Sequence, residues 1–136
     1  RLEAFLKKTR VLIVEEYEGI IQVFRRILKT APEIEIIWEA KSELEAVLAL
    51  EVFKPDVILM NSTAPWRQAL KVWRQFKAQA PDCKLLAMTT PENSTQAKQA
   101  KALEIAFLAK EEMVRSLIPT LRGLINASNA EKCAQP

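Results

Sequence analysis

Four runs of the chain are apolar without interruption: Val11-Leu12-Ile13-Val14, Val57-Ile58-Leu59-Met60, Leu85-Leu86-Ala87-Met88 and Ile105-Ala106-Phe107-Leu108-Ala109. Each has the length of a strand. Continuous hydrophobicity over four or five residues leaves no wet side, which predicts parallel strands covered by helices on both faces. Ile34-Glu35-Ile36-Ile37-Trp38-Glu39 partly alternates instead, as a strand at a sheet edge does.

Helical spacing fills the gaps. Tyr17, Ile20, Ile21, Phe24, Ile27 and Leu28 recur every three or four positions and make one apolar stripe. The next helix is expected to start at Ser42, with Glu45 three residues on as a capping box, to carry Leu44, Val47, Leu48 and Leu50, and to stop before Pro55. Trp66, Leu70, Trp73 and Phe76 mark a third, ending at the Pro81-Asp82 turn. The stretch from Asn93 to Leu103 is helix-prone but offers only Ala97, Ala100 and Leu103 for burial, so it should pack shallowly. Met113, Val114, Leu117, Ile118, Leu121, Leu124 and Ile125 mark the last. Pro119 lacks an amide donor, so this helix is either kinked there or begins at Ser116 with the proline in its first turn.

Strand and helix thus alternate five times, which predicts an α/β fold with a doubly wound parallel sheet, helices on both faces and right-handed crossovers. Residues 1–9 read as a basic segment, 10–126 as the domain and 127–136 as a flexible tail or linker where the periodicity is lost.

Length and composition agree with one domain: 136 residues, 49% hydrophobic and 27% charged. A chain of this size buries roughly 68 to 70% of its unfolded surface, so its core needs no metal or disulfide. Cys83 and Cys133 stand far apart with no CxxC spacing, which predicts a reducing compartment. With no histidine and two glycines, the chain cannot write a Ser-His-Asp triad, a Cys-His pair, a GxGxxG fingerprint or a GxxxxGK loop. The net charge of +3 sits in Arg1, Lys7, Lys8 and Arg10 against Glu3, leaving 16 charges of each sign afterwards. That pattern argues against direct nucleic-acid binding by this domain. No apolar run reaches the roughly 18 residues of a membrane span, and the basic start does not read as a signal peptide, so a cytoplasmic location is expected. The first residue is Arg, so the chain reads as an excerpt of a longer one.

In a doubly wound sheet the functional crevice lies at the carboxyl ends of the strands. The residues there are Glu15-Glu16, Asn61, Thr89 and Lys110. An acid pair, a polar residue, a hydroxyl and a lysine at successive strand ends resemble the layout of a bacterial response-regulator receiver (CheY-like) domain. Lys54-Pro55-Asp56-Val57-Ile58-Leu59-Met60-Asn61-Ser62-Thr63-Ala64-Pro65 is similar to the family's third strand and phosphorylation loop, with Pro65 as the loop proline. Phe107-Leu108-Ala109-Lys110 resembles the fifth strand, with its aromatic switch residue and lysine. The likeness runs from about Arg10 to Ile125 and is nearest to receivers that precede LuxR-type DNA-binding domains. It implies a flavodoxin-like sheet of order 2-1-3-4-5. It also implies a phosphoryl-transfer chemistry in which an aspartate attacks, acidic groups hold magnesium, and lysine and hydroxyl bind the phosphoryl oxygens.

The sequence departs from that pattern where the chemistry is made. Asn61 stands at the phosphoacceptor position, and a carboxamide cannot form an acyl phosphate. Glu15 and Glu16 replace the usual aspartates, and the extra methylene displaces each carboxylate from octahedral magnesium geometry. Magnesium binding should therefore be weak or lost, with these two glutamates as the only metal candidates. Trp66, Ala69 and Leu103-Glu104 stand where the family has glycines, which predicts stiffer loops, and Thr90 is expected to crowd the pocket entrance. The chain reads as a pseudo-receiver.

Plainer readings compete. Glu15 and Glu16 are either a vestigial acidic pocket or solvated acids at a helix start. Lys110 and Thr89 are phosphoryl-binding equivalents, or Lys110 makes a standing ion pair with the glutamates and Thr89 a local hydrogen bond. Trp66 and Trp73 pack on one helix face, with Trp66 near enough to cover the pocket. The leading expectation is a non-enzymatic interaction or dimerisation module working through the fourth helix, fifth strand and fifth helix, with Phe107, Lys98, Lys101 and Glu104 on its output face and a DNA-binding output domain after residue 136. The alternatives are a receiver still labelled by phosphoryl donors, or one switched by a metal or small anion in the strand-end pocket.

Overall fold

The computed structural model describes residues 8–134, of which 128–134 by backbone alone. The elements run in the order β1 (Thr9–Val14), α1 (Glu18–Leu28), β2 (Ile34–Ala40), α2 (Glu43–Phe53), β3 (Val57–Met60), α3 (Trp66–Gln79), β4 (Lys84–Ala87), α4 (Ser94–Ala102), β5 (Ile105–Phe107), a 3-10 turn (Lys110–Glu112) and α5 (Met113–Ala134). All four strand pairings are parallel and the order is β2-β1-β3-β4-β5, with β2 at an edge as its pattern predicts.

Period two sorts the strand side chains between two cores. Leu12, Val14, Ile58, Met60, Leu85 and Ala87 join the layer that also holds Trp73 and Phe76 of α3 and Ala46, Ala49 and Leu50 of α2. Val11, Ile13, Val57, Leu59 and Leu86 join the other, with Ile21, Phe24 and Leu28 of α1 and Leu117 and Leu121 of α5. Both faces are dry, so uninterrupted apolar runs are the physical signature of these strands. Full burial of each such side chain stabilises by about 1.5–3 kcal/mol.

Several expectations are corrected. The last helix is continuous from Met113 with Pro119 inside it, so Ser116 is not its cap; the 3-10 turn of Lys110–Glu112 leads straight in. The same helix runs on through Ala134, so 127–134 are helical rather than a loose tail, and 135–136 lie outside the described residues, as do residues 1–7 of the basic segment. Arg10, the first residue of the expected domain, is structural: its backbone N–H donates to Asp56 Oδ2 at 2.8 Å and its guanidinium to the Lys54 carbonyl at 2.8 Å, tying β1 to the α2–β3 turn. Helix α2 buries Ala46, Ala49 and Leu50 and turns Leu44, Leu48 and Val52 outward. It is apolar around most of its circumference, so spacing alone could not choose the face, and the two alanines let it approach the sheet. Helix α4 buries only Ala100, the shallow packing its composition predicts.

Candidate functional site

Adjacent strands β1 and β3 end in register, Val14 beside Met60, and the Asn61 N–H donates to the Val14 carbonyl at 3.2 Å. That pairing sets Glu15 and Asn61 side by side at the floor of a cleft of about 550 Å³. Glu16, Lys41, Glu43 and Leu44 contribute to its walls. Glu15 is only 3% exposed. Its Oε1 accepts the Tyr17 N–H at 3.1 Å, while Oε2 is buried with no hydrogen-bond partner. Asn61 Oδ1 is buried and unpartnered too. Glu16 is solvent-exposed, as a helix-start acid would be.

The wall opposite comes from the start of α2. Ser42 Oγ accepts the Glu45 N–H at 3.1 Å, which is half of the expected capping box. The other half is shifted by one residue: the Glu45 carboxylate takes the Lys41 N–H at 2.8 Å and also the Trp38 indole N–H at 3.1 Å. The cap was legible as a helix start; that it also walls the cleft follows from how the β2–α2 turn folds over β1, and no local signal carries that.

Thr89 and Lys110 do not join this cleft. Thr89 Oγ1 donates to the Ser62 carbonyl at 3.4 Å, a bond to the loop after β3 rather than the local one expected within its own loop. Lys110 is exposed in the 3-10 turn, and among the described residues it makes no ion pair, so the expected bridge to the glutamates is absent. The Phe107–Lys110 run ends in that turn. Thr90 is exposed and lies off the cleft walls, so it does not crowd the entrance.

The β4–β5 half of the rim is filled by rings instead. Trp66 stacks on Phe107 with centroids 5.9 Å apart and meets Trp73 edge-on at 5.1 Å; Trp73 meets Phe107 edge-on at 5.9 Å. The Trp66 indole N–H donates to Gln99 Oε1 of α4 at 2.9 Å. Trp66 therefore bridges α3, α4 and β5 and does not cover the cleft. Lys98, Lys101 and Glu104 are exposed beside this cluster. Glu104 holds a left-handed backbone, φ 56°, in the link between α4 and β5, a conformation glycine adopts more cheaply. Cys83 is buried, and burial pushes its thiol up to about 12.

The match to known proteins follows this geometry. Residues 11–122 match the model of the response regulator receiver domain. The chain belongs to the response regulator receiver family. Among curated relatives, this receiver is 33% identical over 103 residues to a protein-glutamate methylesterase/protein-glutamine glutaminase of Rhodospirillum rubrum, covering 73% of the chain and 28% of that protein. It is 27% identical to the response regulator UvrY of Escherichia coli, covering 84% and 53%, and 25% identical to the transcriptional regulatory protein DegU of Brevibacillus brevis, covering 85% and 49%. The chain thus spans about half the length, or less, of these relatives. In fold it is similar to the non-phosphorylated receiver domain of RcsB from Escherichia coli, at TM-score 0.78, 14% identity, and 89% and 95% coverage.

The family's magnesium site can be tested against the residues present. Among the described residues no three acidic, cysteine or histidine side chains cluster closely enough to share a metal ion. The two free oxygens at the cleft floor comprise one carboxylate and one neutral carboxamide, whereas a hard dication favours several charged oxygens. This donor set does not fit a tightly held magnesium ion. Nor does it suit an anion: three carboxylates and a single lysine line the cleft.

Proposed function

We propose that this receiver signals without being phosphorylated, as a non-enzymatic module that docks a protein partner or a second copy of itself through the α4-β5-α5 face. Asn61 carries the reading. It stands directly after β3, where the resemblance places the attacking aspartate, and its neutral carboxamide lacks the carboxylate oxygen from which an acyl phosphate is made. The ring cluster supports it: half-buried Phe107, at the position of the family's switch aromatic, packs against both Trp66 and Trp73, contacts that a swing of its ring would break. The reading extends to a DNA-binding output domain in the whole protein, supported by the likeness to the transcriptional regulatory protein DegU and to a DNA-binding response regulator of the LuxR family from Staphylococcus aureus. The setting is the cytoplasm; no helix among the described residues is long and apolar enough to cross a membrane.

Radiolabelled acetyl phosphate with magnesium is expected to leave the wild-type chain unlabelled; label on it overturns the reading. Light scattering across a concentration series should show a dimer that Lys101→Glu weakens, or affinity capture should return a partner lost with the same variant. A monomer at every concentration that captures nothing removes the docking part.

A further inference from the structure

The cleft floor is short of donors. Glu15 Oε2 and Asn61 Oδ1 are both buried acceptors without partners, on neighbouring strand ends. Leaving such groups unpaired is costly, more so when one is a carboxylate. The donors on the cleft walls do not reach them: the Glu45 N–H goes to Ser42, the Lys41 N–H to Glu45 and Lys41 Nζ to Glu18 at 3.4 Å, and Ser62, Thr63 and Gln68, which also line the cleft, make no hydrogen bond to either oxygen. Glu16 and Glu43 add negative charge to the walls. What the floor asks for is a positively charged group bearing N–H bonds. A neutral carboxamide oxygen is a poor ligand for a hard metal but an ordinary acceptor for N–H.

Size and surroundings narrow the class. At about 550 Å³ the cleft far exceeds a bare ion, and two large apolar side chains border it in water, Tyr17 at 56% exposure and Leu44 at 70%. We infer that the cleft binds a small organic cation of the alkylguanidinium or alkylammonium class, its N–H groups on Glu15 Oε2 and Asn61 Oδ1 and its hydrocarbon against Tyr17 and Leu44. The inference does not rest on the docking reading above, and a phosphorylated wild-type chain would leave it standing. The same head group has two sources, a free small molecule or an arginine or lysine side chain presented by a protein.

Calorimetric titration of the 136-residue chain with butylguanidinium chloride tests it, beside butylurea as the neutral isostere and magnesium chloride at matched ionic strength. Saturable binding with Kd on the order of 1 mM is expected for a ligand this small. Butylurea should bind at least about tenfold more weakly, as should butylguanidinium to a Glu15→Gln variant that keeps its wild-type circular dichroism, a charged hydrogen bond being roughly twice as strong as a neutral one. Asn61→Asp should tighten binding. Acetyl-arginine amide binding more tightly than butylguanidinium assigns the source to a protein side chain; binding more weakly assigns it to a free molecule. Equal binding of butylurea, unchanged binding to Glu15→Gln, or displacement of butylguanidinium by millimolar magnesium overturns the inference.

Discussion

The two halves of the strand-end rim solve the same topological problem in opposite ways. Above β1 and β3 the chain leaves an acidic cleft with two unpartnered buried oxygens. Above β4 and β5 it closes the gap with Trp66, Trp73 and Phe107, and ties Trp66 to α4 through Gln99. One half is an open cleft whose unpartnered atoms are acceptors; the other is packed with rings, and its one unpartnered polar atom among the described residues is a donor, Trp73 Nε1. The contrast teaches that one sheet rim can be left open and polar over two strands and filled with aromatic side chains over the next two.

Substitutions can break that contrast, beginning with the ring cluster. Trp73→Ala should cost about 3–5 kcal/mol, read as a lower urea midpoint, because the indole is fully buried and the site cannot collapse around the loss. A loss below 1 kcal/mol would mean that the closed half is softer than its packing implies.

Next in size is an alkaline effect in the same core. Burial raises the Cys83 thiol to about 12, against an ordinary value near 9, so the native state keeps a proton that the unfolded chain releases. Stability should therefore fall as pH rises above about 9, by about 1.4 kcal/mol at pH 10 for this group alone. The slope should vanish in Cys83→Ala; if both proteins lose stability equally between pH 8 and 10, the thiol is not its source.

The open half should respond with the opposite sign. Glu15→Gln removes a buried, half-satisfied carboxylate while keeping an acceptor for the Tyr17 N–H, and is expected to raise stability by about 1 kcal/mol in urea denaturation. Destabilisation would show that the carboxylate is satisfied in solution. Coupling within the rings sharpens the comparison further: a double-mutant cycle on Trp66 and Phe107 should give about 0.5–1.5 kcal/mol. Smallest is the surface pair that joins α5 to the start of β2. Arg122 donates to Glu33 Oε1 from two nitrogens at 2.7 and 2.6 Å, and its guanidinium holds the Glu33 carboxyl below the usual range. With the folded value lowered, the stabilisation is present above pH 4.5 and fades as pH falls through the folded value, so Arg122→Ala should cost no more than about 1 kcal/mol at pH 7 and nothing in strong acid.

Much of the fold was legible because two-sided burial writes itself into short apolar runs: Val11–Val14, Val57–Met60 and the alternation of Ile34–Glu39 gave strands, edge and layer order. What failed was set by geometry that no local pattern records. Leu44 and Leu48 read as core because α2 is apolar all round, and only the close approach permitted by Ala46 and Ala49 decides its face. Glu15 and Asn61, picked as strand-end residues, do line one cleft. The ion pair expected of Lys110 is absent among the described residues because the lysine is exposed in a 3-10 turn, an element that the apolar pattern does not record. Cys133 lies where only the backbone is described.

Because every neighbouring pair of strands is parallel, none can zip up from a tight turn; each pairing waits for a helix to be laid down between its members. β1 is bonded on both sides, to β2 and to β3, so a chain emerging from the ribosome amino end first holds its first strand half-paired until Met60 has appeared. During that interval Val11–Val14 offer a free edge, while α1 and then α2 become available to cover its two faces. The order of synthesis thus leaves the first strand with one bare edge until the third has emerged.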